Sequence, residues 1–239
     1  MGRKSELYFA YLHRICDNRF MAYNPSHLAE REIRAAVLQR LLAPSHVSQV
    51  LIEELGVGAA RVDVAVASDR LLGFEIKSDY DTLDRLARQM HAYHAVFDAL
   101  TIVTTISYVG QVEALLPSWW GIWVAERGLD GITLDERRTS TPHGRQEVAS
   151  LAAMLWREDA FAFVIETLGP VVRARATRGD LQAIIVERIP LDMIRGRVLR
   201  SLLSREDLQP RSHRTGREIP HSQNDVMTCR ISAPCRETA

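Results

Sequence analysis

The stretch R-V-D-V-A-V-A-S-D-R-L-L-G-F-E-I-K-S, residues 61–78, decides how this chain is read. Two runs rich in Val, Leu, Phe and Ile flank Asp69-Arg70, a turn short enough to predict an antiparallel β-hairpin. Side chains at i and i+2 of a strand share a face. Val62, Val64 and Val66 are therefore expected on one face of the first strand, and Arg61, Asp63 and Ala65 on the other. In the second strand Phe74 and Ile76 share one face, Glu75 and Lys77 the opposite one. Pairing across the turn lets Asp63 face the same side as Glu75 and Lys77.

Charged groups alternating with Val, Phe and Ile on a core strand are costly unless something neutralises them. A divalent cation would do so. Two carboxylates suit Mg²⁺ or Mn²⁺, which prefer hard oxygen ligands and keep several waters. Such an ion lowers the pKa of an attacking water and stabilises charge developing on a phosphate. The Lys77 ammonium would orient that water or neutralise the phosphate. Taken alone, D…E-x-K also describes an ordinary ion pair on a solvated sheet face.

Outward from the hairpin, strands alternate with helices, the pattern of an α/β core. Upstream, Ser26 is a plausible N-cap for a helix carrying Ile33, Val37, Leu38, Leu41 and Leu42 at helical spacing, ending before Pro44. Val47, Val50, Leu51 and Ile52 fit a strand or a short helix, and Gly56-x-Gly58 is expected to break the chain. Downstream, Asp79 or Asp81 is the expected cap of a helix with an apolar stripe of Leu83, Leu86, Met90, Tyr93 and Phe97. T-I-V-T-T-I-S (101–107) reads as a strand, Q-V-E-A-L-L (111–116) as a helix, W-W-G-I-W-V-A-E (119–126) as a strand and G-L-D-G-I-T-L-D-E-R (128–137) as a turn and short strand. Residues 146–168 and 180–203 have helical spacing. The organisation read from this is an N-terminal segment (1–25, with a loose helical pattern from Leu7 to Ile15), a core (26–140), a helical extension (146–203) and a polar, disordered tail (204–239).

Hydrophobic residues make up 46% and charged residues 25% of the 239, the profile of a globular protein that can bury a sizeable core. The formal net charge is +0, which argues against coating of DNA by bulk charge but not against a local basic groove. Cys16, Cys229 and Cys235 form no C-x-x-C pair and no zinc spacing, so a reducing cytoplasm is the expected setting. No apolar run is long enough for a membrane span, and the N-terminus does not read as a secretory signal. There is no internal repeat, no G-x-S-x-G elbow, no P-loop and no G-x-G-x-x-G after a strand.

The stretch from Leu51 to Thr105 resembles the PD-(D/E)XK nuclease superfamily, and more closely an uncharacterised bacterial family within it. The matching residues are I-E-E-L-G (52–56), R-V-D-V-A-V (61–66), G-F-E-I-K-S-D (73–79), D-T-L-x-R-L-x-R-Q (81–89) and Y-x-x-V-F-D (93–98), with weaker matches at W-W-G (119–121) and L-W-R (155–157). V-D stands where the superfamily name has P-D. The resemblance implies a restriction-endonuclease-like mixed sheet core flanked by helices, here with a C-terminal helical extension: a helix, a three-stranded antiparallel meander, a second helix and a further strand. It also implies metal-dependent phosphodiester hydrolysis, with Asp63 and Glu75 as ligands of Mg²⁺ or Mn²⁺ and Lys77 as the catalytic lysine. Gln89 matches an accessory polar residue of several branches. An acidic residue preceding the Asp strand completes such sites; Glu54 is the choice here, with Glu53 and Glu32 as alternatives.

Arg85 and Arg88 lie one turn apart near Gln89 and are candidates for phosphate contacts, or for a solvated helix face. Tyr93 and Phe97 read as core rather than base-stacking residues, and Trp119, Trp120 and Trp123 as packing. His91 and His94 lack a partnering ligand motif. The leading expectation is a metal-dependent nuclease acting on nucleic acid, most simply DNA. The alternative is a catalytically inactive binding or regulatory module of the same fold in a bacterial defence or repair system. A third reading makes it a defence component that docks a partner protein through the C-terminal helices.

Overall fold

The chain is described here by a computed structural model for residues 27–42 and 49–205. The N-terminal helical pattern, the Ser26 cap, the tail from residue 206 and all three cysteines lie outside the described residues. The chain opens with α1 (Glu30–Leu41), β1 (Val50–Val57), β2 (Ala60–Ala67) and β3 (Leu71–Lys77). Then come α2 (Leu86–His94), β4 (Ala99–Thr105), a 3₁₀ turn (Ile106–Tyr108), α3 (Val109–Leu115), β5 (Gly121–Gly128) and β6 (Gly131–Arg138). Four helices follow: α4 (Val148–Ala152), α5 (Arg157–Leu168), α6 (Arg178–Arg188) and α7 (Leu191–Ser204).

The six strands form one mixed sheet in chain order, β1-β2-β3-β4-β5-β6. The first three make an antiparallel meander, β4 and β5 run parallel to β3, and β6 returns antiparallel along β5. Parallel neighbours need a crossover, and α2 and α3 supply the two. The segment around Leu51 is a strand, and Gly56 stays within it; the turn is made at Gly58, whose φ of +58° suits a residue without Cβ.

Two apolar clusters sandwich the sheet. One face packs on α1, where Ile33, Val37 and Leu38 meet Leu51, Val64, Val66, Phe74, Ile76, Val103 and Trp123. The other face packs on α2, α3 and the C-terminal helices, joining Ala65, Leu100 and Ile102 to Leu86, Tyr93, Val112, Phe163, Leu181 and Val198. The helices of 148–204 therefore close the sheet rather than stand apart from it. A Cβ at Gly73 would sit 2.7 Å from Leu100 Cδ2 of the neighbouring β4 and 3.1 Å from Phe97, between α2 and β4, so these side chains pack over a bare backbone.

Three local expectations change. The N-cap of α1 is Ala29, whose amide is met by the Glu32 carboxylate at 2.9 Å. Neither Asp79 nor Asp81 caps α2, whose N-cap position is Arg85. Asp79 instead accepts from the Leu28 amide and from Thr105 and Ser107, and Asp81 from the amide and hydroxyl of Ser78. Both carboxylates fold the loop after β3. The alternation of β2 also breaks: Val62 joins the α2-side cluster, while Val64 and Val66 face α1.

The break has a visible cause. β1 and β2 pair Glu53 with Val64 and Leu55 with Val62, so Glu54 and Asp63 are skipped between them. Glu54 takes φ +57°, the only positive value at a non-glycine among the described residues. That conformation is sparsely populated for side chains with a Cβ, and it coincides with the skipped pair.

Among the described residues no helix is long and apolar enough to cross a membrane. The C-terminal layer is pinned by Asp98, just before β4. It is 7% exposed, accepts the Leu71 amide at 2.8 Å and forms an ion pair with Arg195 of α7. Asp98→Ala strands both donors. It should lower stability by about 2–3 kcal/mol, read as a shift in the urea midpoint followed by tryptophan fluorescence; an unchanged midpoint would remove Asp98 as the pin.

Candidate active site

The β2–β3 ladder ends at Val64–Phe74. Continuing its register by one step sets Asp63 opposite Glu75. There β2 and β3 part, and a cleft of about 520 Å³ opens, lined by Glu30, Glu54, Asp63, Glu75, Lys77 and Gln89 with Arg61, Asp81, Arg85 and Arg88. Every residue expected at the site from the sequence thus borders one cavity. Asp63 stands in for the lost ladder: its Oδ2 accepts the Ile76 amide at 2.6 Å.

Glu75 and Lys77 are 2% and 6% exposed, so their charges must be met inside the protein. Lys77 Nζ donates to Glu75 Oε1 at 2.8 Å. Gln89 Nε2 donates to the same oxygen at 2.8 Å, and its Oε1 lies 3.4 Å from Lys77 Nζ. The Tyr93 hydroxyl is 2.8 Å from Glu75 Oε2 and 2.7 Å from the Arg61 carbonyl. Its one proton is shared between these acceptors. Burial, then the Glu75 charge, push the Tyr93 hydroxyl well above the usual phenol range, so it stays protonated. Gln89 and Tyr93 lie four apart on α2, hence on one face, and together they fix the Glu75 carboxylate.

On the opposite wall α1 contributes Glu30 and Arg34. The Arg34 guanidinium contacts four carboxylates: Glu30, Glu54 at 2.6 Å, Asp63 at 3.1 Å and, more remotely, Glu53 at 3.9 Å. Burial works against its charge, but the hydrogen bonds of Glu30 and Glu54 and the charges of Glu30 and Asp63 outweigh that effect. Arg61 Nε takes the other Glu54 oxygen at 2.7 Å. Burial, then the neighbouring Glu75 charge, push Asp63 up to about 7, against the Ile76 amide and Arg34, which pull it down.

Glu30, Glu54 and Asp63 each offer an oxygen within 4.8 Å of the others. An all-carboxylate set of this kind fits a hard divalent cation such as Mg²⁺ or Mn²⁺. The expected preceding acid, Glu54, belongs to this set. Of the two alternatives, Glu53 stands beside Arg34, while Glu32 is spent on Ala29 and on Arg127 at 2.9 Å. Glu75 borders the same cleft but is tied to Lys77, Gln89 and Tyr93. Arg85 and Arg88 are exposed at its mouth and make no ion pair or side-chain hydrogen bond among the described residues.

A family model described as "Bacteriophage P4 protein cII" matches residues 24–224. The chain belongs to the bacteriophage P4 protein cII family. Protein cII of Enterobacteria phage P4 itself is 33% identical over 98 residues, 40% of this chain and 37% of that protein. The chain thus matches well under half the length of that curated relative. Among solved structures, a protein of unknown function from Silicibacter pomeroyi is similar at 16% identity and a TM-score of 0.33, over 65% of this chain and 100% of that one.

Sequence reasoning missed Glu30 and Arg34, and it took Tyr93 for core alone. Tyr93 had a signal: a buried tyrosine needs a partner for its hydroxyl, and it sits one turn beyond Gln89. Trp119, Trp120 and Trp123 are packing residues, as expected. Trp120 Nε1 donates to His94 Nε2 at 2.9 Å, Trp119 stacks on His143 at 4.0 Å, and Trp123 packs on Phe74 under the Arg40 guanidinium. Burial, with the nearby His143 and Arg145 charges, pushes His94 down to about 4, so it accepts that bond as a neutral ring.

The Asp63 carboxyl gives a pH test. Its folded pKa lies above the usual carboxylate value, so between about 4 and about 7 the folded state binds the extra proton. Its contribution to stability is present at low pH and falls as pH rises towards 7. Subtracting Asp63→Asn from the parent, by urea unfolding at several pH values, should isolate that falling slope. A flat difference would mean Asp63 is ionised throughout.

Proposed function

We propose that the chain is a metal-dependent nuclease-like protein that hydrolyses phosphodiester bonds, most simply in DNA, within a restriction-endonuclease-like core. The observation that carries the reading is the meeting of Asp63, Glu75, Lys77 and Gln89 around one cleft, with Glu54 and Glu30 adding carboxylate oxygens. The order of elements supports it: α1, the β1-β2-β3 meander, α2, then β4 parallel to β3. This is the arrangement that the PD-(D/E)XK resemblance implies.

In this reading Asp63, Glu54 and Glu30 hold Mg²⁺ or Mn²⁺, with Glu75 beside Asp63 as the further ligand that the resemblance implies. The bound ion would acidify a water and stabilise the phosphate charge. Lys77 places an ammonium at the cleft from a buried position, where its charge is weakly screened. Gln89 and Tyr93 keep Glu75 in one orientation and are positioning residues. Arg85 and Arg88 meet backbone phosphates at the mouth, giving a local basic rim on a chain of formal charge +0. A cytoplasmic site of action is consistent with this chemistry.

A second reading has its own support. Arg34 already places a cation of the chain's own among Glu30, Glu54 and Asp63. A nuclease fold whose cation place is filled by its own arginine would serve as a binding or regulatory module, with α4–α7 available to a partner.

Purified protein with Mg²⁺ or Mn²⁺ should cleave at least one form in a panel of circular, linear, branched and single-stranded DNA and RNA. Lys77→Ala and Asp63→Asn should each slow cleavage by about 100-fold or more, with unchanged circular dichroism. Cleavage at the parent rate by both variants would take the reaction away from this cleft; no cleavage of any substrate would favour the binding module.

A further inference from the structure

We propose that Arg34 is a tethered cation occupying the place of the metal, and that it must leave the carboxylate cluster before a divalent ion can enter. Arg34 thereby sets the metal concentration at which the site loads. The inference rests on the metal-centred reading above and deepens it.

Arg34 Nη2 lies 2.6 Å from Glu54 Oε1 and 3.1 Å from Asp63 Oδ1, and it also contacts Glu30. These are the three residues whose oxygens come within 4.8 Å of one another. A hard divalent ion needs its oxygens at about 2.0–2.5 Å. It cannot share them with a nitrogen already at their centre.

Charge points the same way. Arg34 brings one positive charge to Glu30, Glu53, Glu54 and Asp63, and among the described residues only Glu54 has a second cation, Arg61, in contact. The cluster keeps a negative excess that a divalent ion would answer better than a monovalent one. Removing Arg34 with no replacement would leave carboxylates crowded in a partly desolvated cleft, a costly arrangement.

The backbone adds a third observation. Glu54 holds φ +57°, although it is not glycine. Its carboxylate is gripped on one oxygen by Arg34 and on the other by Arg61. The strained residue is thus held towards the site by the very contact that metal entry must break, and strain of this kind concentrates at switch and ligand positions.

When a competent state is only a minor fraction, apparent affinity falls by that fraction. Arg34→Gln keeps a polar side chain of similar reach without the charge. In Mn²⁺ titrations of the full chain, followed by calorimetry and by the paramagnetic signal of free Mn²⁺, it should bind about tenfold tighter or more than the parent. In chelator its thermal midpoint should fall below that of the parent, and Mn²⁺ should restore it. Arg34→Lys keeps the charge on a single nitrogen and loses the planar guanidinium fork; it should lie between the two and serves if the glutamine variant does not fold. Equal Mn²⁺ affinity in all three overturns the inference while leaving the metal site standing. Absence of binding in all three overturns the metal-centred reading and this inference with it.

Discussion

Burial of like charges at the point where β2 and β3 separate is the constraint around which the molecule is arranged. Asp63 and Glu75 stand opposite one another at the end of a shared ladder, with Lys77 two residues on. Carboxylates at that spacing repel, and a sheet interior offers little water to screen them. Each is answered from a different side. α2 brings Gln89 and Tyr93 to Glu75, and α1 brings Arg34 to Asp63. The two helices lie on opposite faces of the sheet, so the opening between the strands is reached from both.

This division separates two kinds of work. Glu75 is held by neutral donors and one lysine in a nearly water-free pocket, a setting that fixes orientation. Asp63, Glu54 and Glu30 are more open and share one guanidinium, a setting that exchanges partners more readily. The Glu54 backbone strain falls on this second side, where β1 and β2 skip a pair. An arrangement with one rigid wall and one exchangeable wall suits the metal-centred reading proposed above.

The C-terminal helices matter here because they cover the face on which Tyr93 and Leu86 pack. They complete the layer in which α2, carrying Gln89 and Tyr93, packs on the sheet. Asp98 couples the layers by holding both the start of β3 and α7. The site is therefore supported at one remove by residues far beyond the hairpin.

The β-hairpin, the alternation of helices with strands and the shared face of Glu75 and Lys77 were legible in the sequence, while Gln89 was named only by the family resemblance and the strand alternation did not hold at Asp63. The hairpin, the helix–strand alternation and the Glu75–Lys77 face follow from a short-range period: two for a strand, between three and four for a helix. Glu30 and Arg34 were not legible as site residues, because the angle at which α1 crosses the sheet is set by Ile33, Val37 and Leu38 packing on Phe74 and Ile76. Nor was the break at Val62 and Asp63, since a left-handed glutamate is held only by guanidiniums arriving from α1 and β2. Local pattern determined which residues could meet; long-range packing and charge compensation decided which cation stands among the carboxylates.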